Sequence, residues 1–271
     1  MQNYLALTTL LVFTSTVLFS QNELEKLNSL YAQFEYDIKN KDVNSFEKLF
    51  YNNEVPLNTI IRTPDSINHL SNTFNNWANF LRTATFPYEI RISNSKFTVN
   101  GQVAFSLADY HEYAKGELVS IGKDLFLYLK NNNKWQFASL NGTATLVSND
   151  NENCCPSLHN KMIKKVLERV FHHKTRKGKN SPANQLSKHA QVYYKDSIEG
   201  KNWKSKSLSS YFKAGQPFKK QRILDIKIYD QHIALAKVEL IPMGTQQILE
   251  GYAVLVATNK EHPLISSLII S

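Results

Sequence analysis

Cysteine and glycine are scarce in this chain of 271 residues, and each shortage argues against a class of protein. The two cysteines, Cys154 and Cys155, are adjacent, so they cannot cross-link distant segments, and two thiolates alone are too few for a zinc site. A strained vicinal disulfide, a bridge to another chain and an unpaired surface pair are the alternatives. The nine glycines form no phosphate-binding loop, and neither a nucleophile elbow nor an HExxH sequence is present. We therefore expect no bound cofactor and no metal.

Long apolar runs are also rare, and the run at the N-terminus is typical of an export segment. Residues 4–19 contain no charged side chain and end next to Ser20, a small residue that suits signal-peptidase cleavage. The run is shorter than the roughly 20 residues that a membrane-spanning helix needs. We predict a signal peptide over residues 1–20 and a mature protein that begins near Gln21 and is secreted or periplasmic. An uncleaved anchor is the alternative.

The excess of positive over negative charge lies entirely in the second half of the chain. Residues 21–148 hold 12 Lys or Arg and 13 Asp or Glu, whereas residues 149–271 hold 20 and 10. Most of the excess lies between Lys161 and Arg222, where 17 basic residues accompany three acidic ones. Such a surface attracts anionic envelope glycans or lipid head groups, although a solvated helix face with a lysine-rich loop is the simpler explanation. Nucleic acid is a poor match, because lysine outnumbers arginine and few aromatic residues accompany the charges.

A pattern of strand, tight turn and strand occurs twice, at residues 97–107 and again at residues 226–236. Two further apolar, strand-like segments follow each copy. In the first copy they lie at 124–130 and 135–140, and in the second at 252–257 and 264–270. A repeat of this length predicts two domains, each large enough to bury its own core. We assign them to residues 21–148 and 157–271, with a polar linker at 149–156.

Each half is predicted to begin with helices and to continue as a sheet, which is the α+β class. The first half begins with a long amphipathic helix, followed by a short helix that Asp42 can cap and a third helix over 65–81. Strands are predicted at 88–93, 96–100, 102–114, 117–130 and 135–146. In the second half we predict helices over 157–173, near 182–190 and near 207–212, and then strands from Arg222 to the C-terminus.

After a long helix, the segment KDVNSFEKLF at 41–50 and a sheet that closes on KWQFASL at 134–140 resemble the nuclear transport factor 2-like superfamily, in its SnoaL-like form. The second half, through residues 223–228, 233–240 and 251–256, resembles the lumazine-binding branch of that superfamily. The resemblance implies two tandem cone-shaped domains, each with helices packed on a curved antiparallel sheet. It also implies a conical pocket that serves catalysis or ligand binding or is filled as a scaffold, and pairing through the sheets, as an intramolecular pseudo-dimer or a homodimer.

Candidate chemistry lies on the strand at 102–114. Alternation places apolar and then polar side chains on one of its faces: Val103, Phe105, Leu107, Asp109, His111 and Tyr113. If that face lines the cone, Asp109 would have a raised pKa, His111 could exchange protons near neutral pH, and Tyr113 could donate to an oxyanion. These three are the candidate catalytic residues of a cofactor-free isomerase, dehydratase or cyclase. The alternative is a strand end that emerges into solvent.

Four aromatic residues are candidates for ligand binding: Trp77, Phe105, Tyr193 and Tyr194. Each is equally compatible with packing in a core. Our leading hypothesis is an exported, non-enzymatic protein that binds a small apolar or aromatic ligand or an envelope partner. The alternatives are the enzyme centred on Asp109 and His111, and an adhesive module that holds polyanions through the basic second half.

Overall fold

In the computed structural model, each half of the chain begins with helical structure and has one further helix among its strands. The structure describes residues 2–63, 66–147, 158, 160–171, 185–195, 202–213, 218–229, 231–257 and 263–271. The first half contains α1 (Gln2–Asn40), α2 (Val43–Glu47), β1 (Pro56–Thr63), β2 (Ser66–Thr73), α3 (Phe74–Thr83), β3 (Tyr88–Asn100), β4 (Val103–Ala114), β5 (Glu117–Asn131) and β6 (Lys134–Leu146). The second half contains α4 (Asn160–Phe171), β7 (Leu186–Tyr194), β8 (Lys204–Ser207), α5 (Leu208–Lys213), β9 (Phe218–Tyr229), β10 (Ile233–Pro242), β11 (Leu249–Val256) and β12 (Leu264–Ile270). This is the predicted α+β class.

The two halves have the same sheet topology. Their six-stranded sheets have the orders β2-β1-β6-β5-β4-β3 and β8-β7-β12-β11-β10-β9. All neighbouring strands are antiparallel except β1 with β6 and β7 with β12, which are parallel. The sheets are therefore mixed rather than purely antiparallel. The equivalent strand orders show that the repeated pattern in the sequence is a repeated fold.

Local chemistry explains how the first helices end and begin. Apolar residues at helical spacing, Leu27, Tyr31, Phe34 and Ile38 among them, bury one face of α1. Asp42 then caps α2 as predicted, because its side chain accepts a hydrogen bond from the Ser45 backbone N–H. Through their apolar side chains, α1 and α2 pack on one face of the first sheet, which we call its inner face.

Two predicted helices are wrong in part. The segment 65–81 was expected to be helical throughout, but 66–73 is strand β2, which pairs with all of β1 in an antiparallel hairpin, and α3 begins only at Phe74. Residues 186–190, expected in a helix near 182–190, belong to β7, which pairs in parallel with the C-terminal strand. The partner of β2 is the neighbouring strand β1, and the partner of β7 is distant in sequence, but in both places strand pairing outweighs a short apolar period. The predicted strands at 88–93 and 96–100 form the single strand β3 with a bulge at Ser93/Lys96.

The outer face of the first sheet packs against the second half of the chain. Val103, Phe105, Leu125, Leu127 and Leu129 belong to one buried apolar cluster with residues of the second half. The Phe105 ring lies 5.7 Å from that of Tyr252. Because this face is covered by protein, apolar side chains occupy both faces of the central strands β4 and β5.

Buried amide and hydroxyl groups cross the same interface. Asn58 donates to Ser266 Oγ at 2.7 Å and accepts from Ser187 Oγ at 2.8 Å. Ser267 donates to Ser139 Oγ at 2.7 Å. Since a buried polar atom without a partner is costly, this network favours one alignment of the two sheets over the alternatives.

Several predicted features lie outside the described residues. They include Cys154 and Cys155, the linker at 149–156 and the basic run at 172–179. Side chains of residues 2–20 are likewise not described. No helix within the described part of the chain has the length and apolarity that a bilayer crossing requires. The signal peptide and the proposed domain bounds stay predictions.

Candidate functional site

A cavity of about 500 Å³ lies in the first half, on the inner face of its sheet. Its walls come from α3 and from strands β1 to β6. Apolar and aromatic side chains supply most of the lining: Leu57, Ile61, Leu70, Trp77, Phe80, Tyr88, Ile90, Tyr110, Leu140, Ala144 and Leu146. The polar lining residues are Asn58, Thr59, Asn72, Asn76, Glu112, Ser120 and Asp124, and Gly142 completes the set. An apolar cavity with a few polar groups is the usual form of a small-molecule site.

Strand register places the polar groups together. Glu112 of β4 is directly opposite Ser120 of β5, and Asp124 of β5 is directly opposite Gly142 of β6. Because side chains alternate along a strand, Glu112, Ser120 and Asp124 all point to the inner face. The two carboxyl groups thus lie on neighbouring strands of one wall.

Two glycines, Gly122 and Gly142, allow the Tyr110 and Asp124 side chains of this wall to pack closely against the sheet. A Cβ atom at Gly142 would lie 2.1 Å from Asp124 Oδ1, and one at Gly122 would lie 2.7 Å from Tyr110 Cε1. Real Cβ atoms do not approach that closely, so a side chain at either position would displace Asp124 or Tyr110. Glycine at these positions therefore maintains the present shape of the cavity floor.

The two carboxyl groups have different surroundings. Glu112 accepts hydrogen bonds from Tyr88 Oη at 2.7 Å and from Ser120 Oγ at 2.6 Å. Asp124 receives no hydrogen bond and no ion pair from any residue in the described part of the chain. Burial raises the pKa of Asp124 to about 7, and the charge of Glu112 adds to the effect. Asp124 can therefore gain or lose a proton near neutral pH.

The three predicted catalytic residues lie on the opposite face of β4. Asp109, His111 and Tyr113 alternate with the cavity residues Tyr110 and Glu112, so they point away from the cavity. The condition on which these roles were proposed, that their face lines the cone, is not met by the cavity described above. Hydrogen bonds from Lys123 and then Asn94 lower the pKa of Asp109, where a cavity position was expected to raise it.

The surroundings of Tyr113 and His111 are those of a sheet surface. The guanidinium of Arg91 lies 4.4 Å from the centre of the Tyr113 ring, and His111 is directly opposite Arg91 on β3. Ile121, directly opposite His111 on β5, is 42% exposed, so this end of the strand face is open to solvent, which does not favour acid–base chemistry. The physical reason for the error is that Val103 and Phe105 form an apolar stripe by covering the second half, not by lining a cone.

Of the four predicted ligand-binding residues, only Trp77 lines the cavity. It packs edge-on against Phe34 and Phe46, with ring centres 5.5 and 5.4 Å apart. Phe105 lies in the interface between the halves. Tyr193 is fully buried there, and its hydroxyl donates to the Ala138 carbonyl oxygen at 2.5 Å. Tyr194 packs against Tyr211 in the second half, with ring centres 5.7 Å apart.

Sequence reasoning missed Asp124, Glu112 and Tyr110. A signal was present in the alternation Ser120, Gly122, Asp124 on β5, where small and polar residues precede the apolar pair Phe126 and Tyr128 on the same face. A strand face that changes from bulky to small residues leaves space beside it. Within the described residues, no group of three or more His, Cys, Asp or Glu side chains lies close enough to hold a metal ion.

Neither a scan against protein-family models nor a comparison with curated proteins finds a match. Solved structures do match, over about half of the chain each. One is the β subunit of a proposed aromatic-ring-hydroxylating dioxygenase from Novosphingobium aromaticivorans, with 14% identity, a TM-score of 0.39, and coverage of 49% of this chain and 94% of that one. A proposed dehydratase of the NTF2-like family from Streptomyces avermitilis has 12% identity and a TM-score of 0.37, over 47% of this chain and 98% of its own. An NTF2-like protein from Cytophaga hutchinsonii has 14% identity and a TM-score of 0.35, over 45% and 95%.

Solved structures of NTF2-like proteins each match about half of the chain, which is consistent with the predicted tandem arrangement. The predicted α+β class is confirmed, with two curved sheets of equal strand order that each have helices before them. The first half contains the cavity, and its chemistry has to be argued from the side chains that line it.

Proposed function

We propose that the first half of the chain binds a small, largely apolar molecule inside the cone. The observation that carries this proposal is the cavity itself, whose mostly apolar and aromatic wall contains Asp124, a carboxyl group that no described residue hydrogen-bonds. The sequence pattern favours ligand binding without locating the site, and the inner face of the sheet is the location proposed here.

The cavity is a cleft that opens to solvent between exposed side chains such as Leu70 and Phe80. Protein interiors are close-packed, and a cleft that keeps apolar side chains in contact with water forgoes the stabilisation that burying them would give. A carboxyl group without hydrogen-bond partners adds a further cost when it is buried. A cavity that combines both features is therefore better explained by an occupant than by packing.

The cavity also has an apolar approach. Leu70, Phe80 and Leu146 line it and are nevertheless well exposed, at 48%, 37% and 36% of their surface. They lie on β2, α3 and β6, three separate elements of the wall. Exposed apolar side chains grouped around an opening provide a route by which an apolar molecule can enter.

Matched substitutions of two threonines test the proposal. Thr59 lines the cavity, whereas Thr98 is an exposed residue of the edge strand β3. Binding of benzyl, naphthylmethyl and adamantylmethyl alcohols is to be measured by calorimetry on the full chain. We expect Thr59→Phe to abolish binding because the ring fills the cavity, and Thr98→Phe to leave it unchanged. Equal affinities for Thr59→Phe and the unmodified chain would place the ligand elsewhere and refute the proposal.

Proton transfer is the second candidate, and the pKa of Asp124 near 7 is the observation that favours it. In this version Asp124 takes the acid–base role that the sequence suggested for Asp109. Exchange of the α-hydrogens of small cyclic ketones in deuterated water, followed by NMR, detects such chemistry. Asp124→Asn should abolish exchange above the buffer rate, and Asp109→Asn should preserve it. Exchange that is no faster than in buffer would refute proton transfer at Asp124 and leave ligand binding as the function proposed for the first half.

Export and polyanion binding stay predictions. Much of the basic stretch between Lys161 and Arg222 lies outside the described residues, and the predicted export segment at 1–20 has no described side chains. Both expectations concern other parts of the chain than the cavity, so neither affects the proposal for the first half.

A further inference from the structure

The charges on the cavity wall have one sign. Asp124 and Glu112 are the acidic side chains, and none of the described residues that line the cavity is a Lys, Arg or His. In surroundings of low dielectric constant, two carboxyl groups without a cation disfavour each other's ionisation. Such a wall is electrostatically complementary to a positive charge.

The two carboxyl groups differ in the number of hydrogen bonds that they already accept. Both oxygens of Glu112 already accept hydrogen bonds, one from Tyr88 and one from Ser120. Asp124 receives none from the described part of the chain, and its Oδ1 atom lies over Gly142, which offers no side-chain donor. A buried carboxylate normally has several hydrogen-bond donors. The missing donors at Asp124 are therefore expected from the occupant of the cavity.

We propose that the ligand of this cavity carries a cationic nitrogen, an ammonium or amidinium group, whose N–H groups bind the carboxylate of Asp124. This inference rests on the proposed binding function and adds the chemical class of the ligand. The remainder of the ligand is apolar, because apolar side chains such as Trp77, Phe80 and Ile90 form most of the remaining wall. Aromatic faces such as that of Trp77 also attract cations directly.

The pH dependence of binding follows from the groups that surround Asp124. Glu112 is the carboxyl group that interacts with it, and four phenols also do. The phenols are Tyr31, Tyr88, Tyr110 and Tyr128. Burial raises the pKa of each phenol, so all four are neutral between pH 6 and 8. Among these groups, Asp124 is the one whose pKa, about 7, lies in this range.

A cation and a neutral acceptor predict opposite pH profiles. An ammonium group requires ionised Asp124, so its binding releases a proton and strengthens as the pH rises through about 7. A carbonyl ligand would instead accept a hydrogen bond from the protonated acid, and its binding would strengthen as the pH falls. The direction of the profile therefore reports the class of ligand.

Two probes of the same shape test the inference: 1-naphthylmethylamine and 1-naphthylmethanol. Their affinities for the full chain are to be measured by calorimetry at pH 6 and pH 8, with the Asp124→Asn and Asp109→Asn variants beside the unmodified chain. At pH 8 we expect the amine to bind about tenfold more tightly than the alcohol, as a charge-assisted hydrogen bond implies. The preference should shrink at pH 6, disappear in Asp124→Asn and persist in Asp109→Asn. Retained binding of the alcohol shows that Asp124→Asn is folded.

The contrary results separate the two proposals. If the alcohol binds as tightly as the amine, or if Asp124→Asn keeps the preference, the inference about the cation is overturned while the cavity remains a binding site. If neither probe binds the unmodified chain at either pH, the proposed function fails and the inference fails with it.

Discussion

Replacing Asp124 by Asn should make the protein more stable at alkaline pH. The folded chain holds the proton of Asp124 more tightly than the unfolded chain, because burial and Glu112 raise the pKa from 3.8 to about 7. Between these two values the unfolded state is ionised while the folded state is still protonated. Stability therefore falls as the pH rises from about 4 to about 7 and then levels off. Asparagine occupies nearly the same volume without the charge.

The magnitude follows from the shift. About three pKa units correspond to about 4 kcal/mol at 1.36 kcal/mol per unit, which is an upper limit because Asp124 lines an open cavity and is only partly shielded from solvent. We expect a gain of about 2 to 4 kcal/mol for Asp124→Asn at pH 8 and almost none at pH 4. For a chain of this size, such a gain raises Tm by roughly 5 to 10 °C.

Urea unfolding at pH 4, 6 and 8 checks this prediction, with the free energy of unfolding of the variant compared with that of the unmodified chain at each pH. Asp109→Asn is the matched control. Its carboxylate pairs with Lys123 and has a lowered pKa, so its loss should cost a little stability at pH 8 and less as the pH falls toward its folded pKa. A difference between Asp124→Asn and the unmodified chain that does not change with pH, or a loss at pH 8, would refute the assignment of a buried carboxyl group to this wall.

Two further substitutions test the cavity floor and the interface between the halves. Gly142→Ala should cost about 1 to 3 kcal/mol because the new Cβ would lie 2.1 Å from Asp124 Oδ1, and the cost should fall in an Asp124→Ala background, as a double-mutant cycle in urea would measure. An equal cost in both backgrounds would contradict the contact. Asn58→Ala should cost about 2 to 3 kcal/mol because it removes the buried amide that hydrogen-bonds both Ser187 and Ser266 across the interface, whereas the exposed Asn79→Ala should change the free energy of unfolding by less than about 0.5 kcal/mol. A cost for Asn58→Ala that is no larger than for Asn79→Ala would argue against the interface.

The repeat and the fold class could be predicted from the sequence, because they depend on local signals. Periodic apolar residues mark α1 and α4, Asp42 marks the start of α2, and the tight turn around Gly101 joins β3 to β4. The strands β2 and β8 have no comparable signal. They are short, polar edge strands whose pairing with β1 and β7 depends on tertiary contacts, so the sequence around Ser66–Thr73 was interpreted as the beginning of a helix.

The candidate site could not be placed because both faces of β4 are buried. The rule that the apolar face of a strand is the cone face fails when a second domain covers the other side. Val103 and Phe105 face that second domain, whereas Ala104 and Ala108 face the helices. Because Val103 and Phe105 are larger than the two alanines, their face has the stronger apolar pattern in the sequence. Which face encloses space depends on the packing of the whole sheet, and alternation along one strand reports only that the faces differ.

The two halves share a topology, but only one of them has the carboxyl group. When β4 and β10 are aligned from their first residues, Val103 and Ile233, Ala108 corresponds to Val238. Because Ala108 pairs with Asp124 and Val238 pairs with Gly251, Asp124 corresponds to Gly251. The cross-strand partner changes in the opposite sense, from Gly142 to Ile270, which is 3% exposed. An acid opposite a glycine leaves an open, polar floor, whereas a glycine opposite an isoleucine fills the same place with an apolar side chain. Together with the aromatic contacts of Phe171, Phe212 and Phe218 beneath α4, this exchange favours packing over binding at that position in the second half. Duplication of the cone thus supports a division in which the second half covers the outer face of the first sheet and the first half keeps the site.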